Sequence, residues 1–222
     1  MRIKKLQLFT HKLEAEKDFY VNSIGMELVS EQEDSFTLNI GWSELTFTKS
    51  EQTHLYHYCF LIPANQLNEA LAWMEKRTSI IETEKGKKTQ RFENWNADAF
   101  YFHDASGNLA EFIVRYDLKN ESSLPFHASS LCAVNEIGMP TIDVEKSNSF
   151  LEDNFNTQFW KGDKVRFGTN GDQEGLFLLP NYTIKDRWFP TNEILRPEPF
   201  EVVFEQNKNE YGFVFNGEEI EI

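Results

Sequence analysis

One folding pattern recurs three times along this chain, and a repeated unit constrains the fold more than any single residue does. The first copy is Lys5-Leu6-Gln7-Leu8-Phe9-Thr10-His11-Lys12 followed by the helical stretch Leu13 to Tyr20. A later copy runs Glu136 to Asp143 and then Val144 to Phe155. The register holds without gaps: Leu13 matches Val144, Phe19 matches Phe150, Ile24 matches Phe155 and Leu28 matches Phe159. Between them His57-Tyr58-Cys59-Phe60-Leu61-Ile62 precedes a helix carrying Leu67, Ala70, Leu71 and Met74. A unit of this size cannot bury its apolar face alone, so units must pair.

Alternation defines the local elements. Leu6 and Leu8 fall on one face of the first strand; Lys5, Gln7 and Phe9 fall on the other. Leu13 to Ser23 reads as an amphipathic helix with Gly25 just past its end. Strands follow at 27–31, 35–40 and 44–48. The second unit opens with a strand over 55–62 stopped by Pro63, then a helix from about 66 to 77 and a charged edge segment over 80–95. The stretch Ala99 to Val114 is strand, tight turn at Gly107 and strand. Residues 117–130 form the best linker. Asn-Gly pairs at Asn170-Gly171 and Asn216-Gly217 predict hairpin turns. The tail offers strands at 201–205, 211–215 and 218–222, and no helix, as if half of a fourth unit.

Composition excludes several classes. Hydrophobic residues make up 40% of the 222 residues and aromatics 14%, with 20 phenylalanines, so a packed core is expected rather than disorder. A formal net charge of −14 disfavours nucleic acid. The two cysteines, Cys59 and Cys132, give neither a disulfide framework nor a zinc knuckle. The absence of an apolar leader or spanning run predicts a cytoplasmic chain with no membrane contact. A nucleotide loop at 168–175 is rejected, because its carboxylates would repel phosphate. No Ser-His-Asp elbow or dinucleotide fingerprint is present.

The strand-helix-three-strand unit, the segment Asp18-Phe19-Tyr20 with Gly25-Met26-Glu27-Leu28, and above all Phe100-Tyr101-Phe102-His103-Asp104-Ala105-Ser106-Gly107-Asn108-Leu109-Ala110-Glu111-Phe112 resemble the vicinal oxygen chelate superfamily. That group holds glyoxalase I, bleomycin-resistance proteins, fosfomycin-resistance enzymes and extradiol dioxygenases. The resemblance covers roughly residues 1–180. It implies an α+β fold of repeated βαβββ units whose strands form half-open curved sheets. Residues 1–118 are expected to be paired units forming one cup. Residues 131–222 are expected to be a degenerate third unit plus a helix-free β half that caps or dimerises.

The resemblance also implies where ligands come from: the first strand and the last strand of a unit. His57 matches the second-unit histidine and Glu111 the last-strand glutamate. Lys5 stands where the first unit usually has His or Gln. Gln7 and Glu44 are the visible substitutes, so the implied metal set is His57, Glu111, Gln7 and Glu44, holding a divalent ion such as Zn, Ni, Mn or Fe. Alternatively, Lys5 pairs with Glu111 and replaces the metal electrostatically. Glu136 stands at the register of Lys5 and His57, but the third unit's last strand offers no carboxylate. Tyr101 shares a strand face with His103; Tyr101 and Glu111 are the candidate acid–base pair, and Lys5, Phe9 and His103 the candidate substrate contacts. Cys59 reads as a buried, inert thiol. Two functions stay open: a metal-dependent isomerase, lyase or ring-cleaving dioxygenase on a small oxygenated substrate, or a metal-free small-molecule-sequestering protein resembling bleomycin-resistance proteins. The expected partner is a small molecule, with a homodimer left open.

Overall fold

A computed structural model describes all 222 residues. The first unit is β1 (Arg2–Thr10), α1 (Leu13–Lys17) continued by a π-helical segment (Asp18–Ile24), then β2 (Glu27–Gln32), β3 (Ser35–Ile40) and β4 (Ser43–Lys49). The helix stops at Gly25, whose φ of 82° is the left-handed conformation that glycine adopts without strain. The second unit is β5 (His57–Leu61), α2 (Leu67–Met74), the short β6 (Ile80–Ile81) and β7 (Gln90–Phe92), β8 (Ala97–His103) and β9 (Leu109–Arg115). The third is β10 (Ala133–Gly138), α3 (Val144–Phe155), β11 (Phe159–Gly162), β12 (Phe167–Asp172) and β13 (Gly175–Pro180). The tail gives β14 (Phe200–Gln206), β15 (Asn209–Phe215) and β16 (Ile220–Glu221).

These strands make two curved, unclosed sheets. The first has the order β16-β15-β14-β1-β4-β3-β2; the second runs β11-β12-β13-β10-β5-β9-β8-β6, with β7 beside β8. The pairing of units corrects the expectation for residues 1–118. Units one and two do not share a cup. The open edge of β1 takes β14 antiparallel, and the open edge of β5 takes β10 antiparallel. Each sheet thus joins one element from either side of the linker.

Side-chain alternation then sorts the faces. Leu6, Leu8, Phe36, Leu38, Leu45 and Phe47 of the first sheet pack with Tyr58, Phe60, Phe100, Phe102, Phe112 and Phe177 of the second in one continuous core. Tyr20, Met74, Leu151 and Phe155 from the helices enter the same core. The residues alternating with these, Lys5, Gln7 and Glu44 on one sheet and His57, Cys59 and Glu111 on the other, therefore point outward on opposite sides of the molecule.

One turn is also corrected. Asn170-Gly171 lies inside β12, and the reversal falls between Asp172 and Gly175, which face each other in the ladder. The Asn170 amide is engaged by α3, donating to Asn148 Oδ1 at 2.9 Å, so it is not free to make a turn. Asn216-Gly217 does turn, with Asn216 Oδ1 accepting from the backbone N–H groups of Glu218 and Glu219.

Candidate metal centre

The outward face of the second sheet carries a row of side chains across four adjacent strands. Glu136 on β10 is the ladder neighbour of Cys59 on β5, Cys59 is the neighbour of Glu111 on β9, and Glu111 faces Tyr101 on β8. His57 lies two residues before Cys59 and so projects from the same face. All five side chains are buried. One nitrogen of His57 and one oxygen each of Glu111 and Glu136 lie within 4.8 Å of one another.

His57 is held in one orientation. Its Nδ1 is 2.9 Å from the Leu109 carbonyl oxygen, so this nitrogen carries the proton and donates it there. Nε2 is left with its lone pair, 3.4 Å from Glu111 Oε2. Burial lowers the imidazole pKa to about 4, which keeps the ring neutral. Burial, reinforced by Glu136, pushes the Glu111 carboxyl well above the ordinary carboxylate range, while Arg115 and the Tyr101 hydroxyl act in the other direction. Burial also raises Glu136 against the pull of Arg115.

Arg115, at the end of β9, is fully buried and donates to Glu136 Oε1 and, at 2.8 Å, to Asn135 Oδ1. Its guanidinium carbon sits 5.6 Å from the Trp95 ring and 5.3 Å from the Trp160 ring, within cation–π range. Its Nη1 has no hydrogen-bond partner. The patch therefore contains its own positive charge.

A neutral imidazole and two carboxylates form a donor set suited to Zn, Ni, Mn or Fe(II). A tetrahedral shell of radius about 2.1 Å places ligand atoms about 3.4 Å apart. The His57–Glu111 separation of 3.4 Å meets this, and the 4.8 Å limit on the set leaves at most about 1.4 Å for carboxylate rotation to close. The fit is to three protein ligands. Leu176 and Leu178, on the third unit's last strand, supply no fourth.

The segment 181–199, between β13 and β14, covers this face. The Trp188 ring centroid is 4.7 Å from that of His57, and the indole packs over Gly138. A Cβ at residue 138 would come within 2.7 Å of the ring, so only glycine admits it. Trp188 and Leu195 join Tyr101, Leu109, Leu176 and Leu178 in a small apolar cluster above the carboxylates.

The residues expected at the site divide cleanly. His57, Glu111 and Tyr101 come together. Lys5, Gln7 and Glu44 do not: they are on the other sheet. Lys5 Nζ lies 3.6 Å from Glu44 Oε2 in an exposed pair, and Gln7 donates to Glu201 at 3.1 Å. The cation beside the carboxylates is Arg115, not Lys5. Phe9 also belongs to the first sheet, its ring centroid 6.1 Å from that of His54. His103 sits at the rim, paired with Glu193 of the covering segment. Burial raises the pKa of the Cys59 thiol well above its ordinary value, in keeping with an inert thiol. Sequence reasoning left Glu136 out of the candidate ligand set, although its register with His57 was the signal. Arg115 carried no local signal.

No protein-family model matches the chain, and no curated protein matches it. Solved structures do. A "putative dioxygenase" from Bacillus subtilis subsp. subtilis str. 168 aligns with TM-score 0.58 and 17% identity, covering 82% of this chain and 64% of that one. Glyoxalase I from Zea mays aligns with TM-score 0.54 and 14% identity, covering 80% of this chain and 66% of that one. The chain thus spans about two thirds of the length of these structures. It has the glyoxalase/bleomycin-resistance/dioxygenase fold. No helix is long and apolar enough to cross a membrane.

Proposed function

We propose that this chain is a divalent-metal protein of the glyoxalase/dioxygenase type, acting on a small oxygenated molecule in the cup of the second sheet. His57, Glu111 and Glu136 would hold the ion. The observation that carries the reading is the orientation of His57: Nδ1–H is committed to Leu109 O, and the bare Nε2 lone pair faces a carboxyl 3.4 Å away. A backbone partner that fixes the tautomer is what metal-binding histidines ordinarily have. When bound, the ion would supply Lewis acidity, stabilising enolate or alkoxide charge on the substrate.

The surrounding residues have definite tasks in this reading. Glu111, its pKa raised by burial, is suited to taking up a proton, and Tyr101 beside it offers a hydroxyl. Trp188, Leu176 and Leu178 exclude water, which strengthens every electrostatic interaction beneath them. Isomerase, lyase and ring-cleaving chemistry all suit such a centre.

A second reading, a metal-free binding protein, is favoured by one observation: Arg115 already counters Glu136. Elemental analysis of protein purified without chelators separates the two. The metal reading expects about one equivalent of a divalent ion, its loss in His57→Ala, and a higher melting temperature when Zn, Ni, Mn or Fe(II) is added. No metal and no shift with any of these ions would sink it.

A further inference from the structure

The segment over the triad is long, has no strand or helix of its own, and is bonded mainly to itself. Loops of this length inside a compact fold are usually functional. The Trp188 N–H donates to Glu193 O at 3.0 Å, the Leu195 N–H to Asp186 O at 2.9 Å and the Thr191 N–H to Trp188 O at 3.0 Å. Between Thr183 and Pro197 the hydrogen bonds to the rest of the protein are those that Thr183, Ile184 and Lys185 make to Asn181 at the base of the segment and the His103–Glu193 pair at the rim. Swinging this segment outward therefore breaks one ion pair and unseats rings, while its internal bonds persist.

The seated ring defines a slot. The Trp188 indole is nearly buried, stands at 50° to the His57 ring, and is admitted only by the missing side chain at Gly138. Next to it Phe189 packs edge-on to Tyr101, with centroids 5.9 Å apart. The ring's place is bounded by His57 and Gly138, with Phe189 and Tyr101 beside it.

We propose that residues 183–197 form a lid, and that the slot filled by Trp188 is the subsite for a planar aromatic ring of the ligand, with the indole holding that place until the ligand displaces it. The inference rests on the metal reading for the chemistry that would follow, but ring binding requires only the slot. A site occupied by its own side chain binds its ligand with an apparent Kd equal to the intrinsic one divided by the fraction of molecules in which the lid is open. Removing the indole should therefore strengthen binding.

Calorimetric titration with indole, and separately with catechol, tests this on the full chain, with cooperative melting as the check of folding. Trp188→Ala should bind indole one to one and at least about ten-fold more tightly than wild type, as expected when a largely closed lid is removed. Adding Gly138→Ala to that variant should abolish binding, because the new methyl fills the slot. In the wild-type protein, hydroxyl-radical footprinting should show Trp188 labelling rise when indole is added to saturation, a readout that survives if the variants do not fold. A folded Trp188→Ala protein that binds neither probe overturns the proposal. So does binding unaffected by Gly138→Ala, or Trp188 labelling unchanged by indole. Metal content measured on the same samples keeps the readings apart: ring binding without metal removes the metal reading alone, and metal without ring binding removes the lid alone.

Discussion

Glu111 and Glu136, which are 25 positions apart in the chain, are brought to one patch by the strand between them, each being a ladder neighbour of Cys59. Neither carboxylate belongs to the unit that carries the other. The candidate centre is therefore a product of the joint between units two and three, and it exists only where β10 lies against β5.

This placement makes the ligand assignment testable. Glu136→Gln and Glu111→Gln should each weaken divalent-metal binding by at least about 100-fold, the upper end of what loss of even an outer-shell partner does. Gln7→Ala, Glu44→Ala and Lys5→Met, on the far side of the molecule, should leave metal content and melting temperature as in wild type. Loss of metal in any of these three would return the ligand set to the first sheet.

Arg115 should be structurally indispensable while Glu136 is charged. Removing one member of a fully buried pair leaves the other uncompensated, at about 3–5 kcal/mol. Arg115→Met should lower the unfolding free energy by that order, and Arg115→Met with Glu136→Met should recover most of it. Denaturant unfolding of the two single variants and the double variant measures the coupling. Additive losses would show that the pair does not act as a unit.

The rim pair gives a pH dependence of definite sign. Hydrogen bonding to Glu193 raises the His103 pKa above its ordinary 6.5, against desolvation, with Glu193 and Asp104 also attracting the proton. The folded state thus holds this proton more tightly than the unfolded state. The stabilisation is fully present below pH 6.5 and is lost as pH rises through the folded value. Melting temperatures of wild type and His103→Gln should differ most at acidic pH and converge at alkaline pH. A gap that widens with pH would contradict the pairing.

The buried Glu16 carboxyl acts over a wider range. Glu16 accepts from the Ser106 backbone N–H at 2.8 Å and from its hydroxyl at 2.6 Å. Burial, with Asp104 adding to it, pushes its pKa up to about 10. Between its ordinary 4.5 and that value the folded state binds the proton that the unfolded state has released, so stability falls as pH rises. Glu16→Gln mimics the protonated form and should flatten the decline between pH 5 and 9, a range set by those two values. An equally steep decline in the variant would show that Glu16 is already ionised.

The fold was legible because its signals are local. The gapless match of Leu13 with Val144 and Phe19 with Phe150, and the Gly107 turn between β8 and β9, each report a few neighbouring residues. Which units share a sheet was not legible, because β1 and β5 each leave an edge free within their own unit, and nothing within either says which partner will fill it. The site followed the same division. His57 and Glu111 lie on strands of one unit and could be read together. Glu136 was visible as a register match, but its role depends on an antiparallel joint between units. Arg115 and Trp188 depend on the same joint and on a segment without periodicity.

The nesting of the sheets sets an order of assembly. Units two and three are contiguous, so the sheet that carries His57 can be completed once residues up to about 180 are available. The first sheet closes around them like an outer bracket: β1, made before both of those units, finds its antiparallel neighbour β14 only at residues 200–206. During synthesis β1 therefore waits with one row of backbone donors and acceptors unpaired, a condition that invites association with other chains. Pairing across so long a sequence separation is also the slow kind. The inner sheet should mature early and the outer sheet last, and a chain that stops before Phe200 should be an aggregation hazard even though every residue of the candidate centre is present.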